Sequence, residues 1–60
     1  MENNYFVIQY KPVNSSSWYD GRTVYDKDEA LQLTMSIKEI NMGAKDDYRI
    51  LSSNREIIEV

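Results

Sequence analysis

The sequence predicts a small α+β domain in which one helix packs across one face of a mostly antiparallel four-stranded sheet, in the chain order β-β-α-β-β. Three observations carry this expectation. A capping sequence at Asp26 opens a stretch of helical apolar period over residues 27–41. Two runs rich in aromatic and β-branched side chains precede that stretch, and two follow it. The chain has 60 residues, 42% hydrophobic and 28% charged, which is globular composition at a length that holds one domain at most.

The first strand is expected over 5–11. Phe6, Ile8 and Tyr10 fall on one of its faces, Tyr5, Val7 and Gln9 on the other, and Pro12 ends it by removing a backbone donor. Residues 13–21, with three consecutive serines and then Asp20-Gly21, read as a loop with turn chemistry at its far end. A short second strand over 22–25 returns antiparallel. Asp26-Lys27-Asp28-Glu29 is a capping box, with Asp26 accepting from the Glu29 amide and Asp28 and Glu29 in the positive end of the helix dipole. Gly43 is the expected stop. A third strand is expected over 48–52, a two-residue turn at Ser53-Asn54, and a fourth strand over 55–60. A helix crossing between the second and third strands allows the spatial order 2-1-3-4 with every neighbouring pair antiparallel.

At about 100° per residue, Ala30, Leu33, Ile37 and Ile40 gather on one arc with Thr34 at its edge, and this stripe is expected to face the sheet. Leu31, Met35 and Met42 form a second apolar row roughly 100–140° around from Ala30, with Lys38 beside it. One sheet covers one stripe of a helix. The second row is therefore either covered by flanking loops that include Trp18, or it is an interface with a second copy or with another protein. A helix lying on a membrane surface would carry more Lys and Arg on its polar face.

The chain has no histidine and no cysteine, so the usual neutral-pH base, the thiolate nucleophile and the two commonest metal-ligand side chains are missing. Asp26, Asp28 and Glu29 are out of register with a calcium-binding EF-hand loop. Ser15-Ser16-Ser17 has no histidine to activate it, and Gly21 and Gly43 stand too far apart to form a phosphate loop. A paired-carboxylate glycosidase needs a cleft that a chain this small hardly forms. The expectation is a protein that is not an enzyme and uses no cofactor or metal. The Met1-Glu2-Asn3-Asn4 start is not the basic, then apolar, pattern of a signal peptide, and the longest apolar run is Phe6-Val7-Ile8, so a cytoplasmic location is expected.

The net charge of −3 disfavours generic nucleic-acid binding and suits a basic partner. Trp18 and Tyr19 are expected at a loop tip, where such side chains either cap the core or supply interface contacts. Carboxylates cluster at Asp20, Asp26, Asp28 and Glu29 and again at Asp46-Asp47. Helix capping and solvated loops account for such groups, and an acidic surface that imitates a phosphate backbone is the functional alternative. The expected function is protein–protein interaction, with Leu31, Met35 and Met42 as main contacts and Trp18, Tyr19, Asp20, Asp28 and Asp46 as helpers. The partner is another protein, basic or nucleic-acid-binding, or a second copy in a homodimer. The alternative is a single-stranded nucleic-acid module that stacks bases on Tyr5, Tyr10, Tyr25 and Tyr48.

The strand Tyr-Phe-Val-Ile-Gln-Tyr, the Trp-Tyr-Asp-Gly segment, the Asp-x-Asp-Glu-Ala-Leu helix start and the closing Tyr-Arg-Ile-Leu strand together resemble small bacteriophage early-type proteins. The resemblance implies action without catalysis in the host cytoplasm, by binding a host enzyme or nucleic-acid-handling protein and blocking or redirecting it. It transfers no functional residue.

Overall fold

The computed structural model describes residues 4–41 and 45–60. Its elements are β1 (Phe6–Lys11), β2 (Tyr19–Val24), α1 (Lys27–Ile40), β3 (Asp47–Ser52) and β4 (Ile57–Glu59). The strands form one sheet in the order β2-β1-β3-β4, antiparallel throughout, as the element order predicts. Alternation along β1 sends Phe6, Ile8 and Tyr10 to the helix side and Val7, Gln9 and Lys11 to the other. The β3 register repeats that division, because Phe6 stands opposite Ser52, Ile8 opposite Ile50 and Tyr10 opposite Tyr48.

The helix starts where its cap is. Asp26 has extended backbone (φ −138°) and its carboxylate accepts the Glu29 amide at 2.9 Å. At the other end the Asn41 amide donates to the Ile37 carbonyl at 2.9 Å. The expected stop, Gly43, and Met42 both lie outside the described residues.

Ile8, Val24, Ala30 and Ile50 form the buried core, and Phe6, Leu31, Leu33, Ile58 and Val60 pack around it. The buried centre of the helix is Ala30 and Thr34, flanked by Leu31 on one side and Leu33 on the other. This corrects the expected stripe. The helix is rolled toward Thr34, so Leu31 joins the core while Ile40, at the stripe's far edge and in the last turn, is 80% exposed. Thr34 tolerates full burial because its hydroxyl donates to the Ala30 carbonyl at 2.7 Å.

Two segments depart from expectation. β2 begins at Tyr19 rather than 22, and Asp20-Gly21 is strand, not turn. Asp20 pairs with Gln9 and Thr23 with Val7, so two β2 residues, Gly21 and Arg22, stand opposite the single Ile8. This is a β-bulge, the setting in which an isolated strand glycine is often found. The turn that was expected there lies earlier, where the Ser15 amide donates to the Pro12 carbonyl at 3.0 Å. Between β3 and β4 the turn is longer than the expected two residues. The Arg55 amide donates to the Ser52 carbonyl, Arg55 takes a left-handed conformation (φ 68°), and β4 is correspondingly shorter than 55–60.

Among the described residues no helix is long and apolar enough to cross a membrane.

Candidate protein-binding surface

The helix covers one face of the sheet only. On the opposite face the register lays side chains in rows across the strands. Thr23, Val7, Leu51 and Ile57 make one row, and Asp20, Gln9, Arg49 and Glu59 make the next. The first row is apolar at its centre, with Val7 and Leu51 half-buried and Ile57 exposed. A solvated antiparallel face normally alternates to polar residues, so an apolar row there is a departure from pattern.

The second row is locked by hydrogen bonds. The Gln9 amide nitrogen donates to Asp20 Oδ1 at 2.8 Å, and Arg49 Nε donates to Gln9 Oε1 at 2.8 Å. Gln9 thus ties three strands together and is only 7% exposed although it sits on the helix-free side. Trp18 lies against this row: the Arg49 guanidinium is 4.1 Å from its ring centroid and Lys11 Nζ is 5.6 Å away. Contacts of this kind contribute about 0.5–1 kcal/mol at exposed sites and more where water is excluded. Lys11 also pairs with Asp47 at 3.6 Å, an exposed ion pair of small energetic weight.

Trp18 therefore caps neither the helix nor its second row, as loop coverage would have required. It lies on the other side of the sheet. Its position follows from β2 starting early: with Tyr10 opposite Tyr19 on the helix side, the preceding residue is directed to the opposite face, next to Lys11.

The remaining expected contact residues are spread around the molecule. Tyr19 is on the helix side, its ring 5.7 Å from that of Tyr10. Asp20 is engaged by Gln9. Asp28 is exposed in the first helical turn, at the end of the sheet remote from Trp18. Asp46 accepts the Val13 amide at 3.2 Å and so joins the loop after β1 to the chain leading into β3. Asp26, Asp28 and Glu29 consequently lie at the opposite end of the fold from Asp46 and Asp47, whereas Asp20, expected to cluster with the former, sits in the Gln9–Arg49 row toward the Asp47 end. Leu31 and Met35 line a shallow apolar groove of about 460 Å³ with Lys38 and Val60, and Met35 is 61% exposed. Met42 lies outside the described residues.

The tyrosines do not share a face. Tyr10 and Tyr48 are on the helix side, while Tyr25 follows β2 and is exposed. Arg49 and Gln9 are the residues that sequence reasoning missed. Their signal was available, since both fall at off-core positions of strands whose alternate residues are apolar. No family model matches the chain, and no match is found among characterised proteins or solved structures.

Proposed function

We propose that this chain acts without catalysis, as a small binding protein whose partner is another protein and whose recognition surface is the helix-free face of the sheet. One observation carries the reading: Trp18 is held against Arg49, beside an apolar row, on a face that no helix or strand among the described residues covers. Trp and Arg are the side chains that most often dominate binding energy at protein interfaces. Here the Gln9 network fixes Arg49 before any partner arrives, which lowers the ordering cost of association. The setting, a bacteriophage factor acting on a host protein in the cytoplasm, is supported by the sequence resemblance alone.

Immobilised protein offered a bacterial lysate tests this. Wild type is expected to retain a defined protein that is lost with both Trp18→Ala and Thr23→Arg, each checked for a native circular dichroism spectrum. Retention of the same proteins by all three would refute the assignment of the surface. Trp18 is the only tryptophan, so its fluorescence reports on this face directly. Strong quenching by a single-stranded oligonucleotide, falling steeply with salt, would replace a protein partner by nucleic acid.

A further inference from the structure

The free edge of β4 combines two features that meet nowhere else among the described residues. The first is an unpaired backbone ladder. The Ser52 amide donates to the Glu56 carbonyl at 2.9 Å, and hydrogen-bonded pairs recur at every second residue of an antiparallel ladder. Ile50 and Ile58 therefore make the next pair, and the N–H and C=O groups of Ile57 and Glu59 point away from the sheet. The second is the groove along that edge on the helix side, where Leu31 and Met35 meet Val60. The other sheet edge differs. β2 is bulged and presents Asp20 and Arg22, both devices that discourage strand addition.

We propose that a second copy of this chain docks on the β4 edge, pairing β4 with β4 about a two-fold axis at Ile58 and bringing the two Leu31–Met35 rows together. The edge is self-complementary in this register. Ile57 of one copy stands opposite Glu59 of the other, both with outward backbone groups, so the pairs on either side of the axis are hydrogen-bonded. The axis runs perpendicular to the sheet, so both helices lie on the same side of it. Four strands from each copy make one continuous eight-stranded sheet. Met35 then faces the partner's helix, and its flexible thioether suits a like-to-like contact.

Surface area supports a second copy as the occupant. The chain exposes 4671 Å², against about 4,100 Å² for a compact monomer of its mass, an excess of roughly 600 Å². Two such excesses make about 1,200 Å², the lower limit of a standard specific interface. Only four hydrophobic side chains are buried among the described residues, so association would supply core that the single chain lacks.

Sedimentation equilibrium over a wide concentration range tests the proposal. The expected mass is twice the 7.1 kDa of the monomer at high concentration, falling toward 7.1 kDa on dilution. Met35→Lys and Ile57→Pro should each raise the dimer dissociation constant at least tenfold with an unchanged circular dichroism spectrum. Proline at position 57 removes an outward N–H and leaves the bonds to β3 intact. Should Ile57→Pro fail to fold, hydrogen exchange on wild type gives the same reading, with the Ile57 and Glu59 amides protected only at high concentration. A monomer at every concentration would overturn the proposal, as would a dimer indifferent to Met35→Lys or with those two amides unprotected. Met35 lies on the helix side, away from Trp18, so the Met35→Lys outcome is independent of whether the helix-free face, to which Ile57 contributes, binds a partner.

Discussion

Replacing Gly21 by alanine isolates one backbone contact. A Cβ built at Gly21 would lie 2.9 Å from the Ile8 carbonyl oxygen, closer than real Cβ atoms come, and the obstacle is main chain that cannot rotate away. Gly21 does not have positive φ, so the cost does not come from handedness. The bulge must open, and its flanks are the Val7–Thr23 and Gln9–Asp20 pairs. Overpacking of this kind costs about 1–3 kcal/mol. Against the roughly 3–9 kcal/mol typical of a domain this size, that is a large fraction. At about 4–8 °C per kcal/mol for so short a chain, the melting temperature should fall by roughly 4–24 °C. Thermal and urea melts followed by circular dichroism measure it, with Arg22→Ala, exposed in the same bulge, as the control. A melting temperature within one degree of wild type would refute the claim that close approach, and not chance, places glycine there.

Two further substitutions probe the turns. Arg55 holds φ 68° without being glycine, so Arg55→Gly should relieve left-handed strain and stabilise by about 0.5–1 kcal/mol after the added chain entropy; an unchanged or lower midpoint in urea would show that the turn is unstrained as it stands. Asp26→Ala removes the acceptor for the Glu29 amide and should cost about 1 kcal/mol, whereas Asp26→Asn should retain most of the cap. Equal losses in thermal melts of the two variants would mean that charge, not the hydrogen bond, does the capping.

The elements legible in the sequence are those whose causes are local. Asp26 and Glu29 mark a helix start by chemistry contained within four residues, and the alternation through Phe6, Ile8 and Tyr10 assigns the core face of β1 without reference to the rest of the chain. The strand order followed because a helix between the second and third strands leaves few ways to keep all neighbours antiparallel. What failed depended on partners distant in sequence. Asp20-Gly21 has the composition of a turn, but the pairing of Tyr19 with Tyr10 and of Asp20 with Gln9 overrode that local preference and converted the glycine into a bulge residue. Ile40 has the right angular position for the core, yet the roll of the helix toward Thr34 is decided by how Leu31 and Leu33 seat on the sheet. The candidate surface suffered most. Trp18 meets Arg49 across a sequence separation that no local pattern encodes, and placing it one residue out of register moves it to the other face.

The contact between Gln9 and Arg49 joins residues 40 positions apart in a chain of 60. β1 occupies the middle of the sheet, and its second neighbour, β3, follows it only after β2 and the whole of α1. Until then Ile8 has Val24 nearby but not Ile50, and the hairpin of β1 and β2 has one flank open. Closing so long a loop is entropically costly and comes late, which makes folding of this domain a single event that awaits β3 and not a progressive one. A translation product that stops short of Asp47 has no smaller core on which to settle. Such fragments should be cleared quickly by the cell's proteases, so that no partial form of the sheet accumulates.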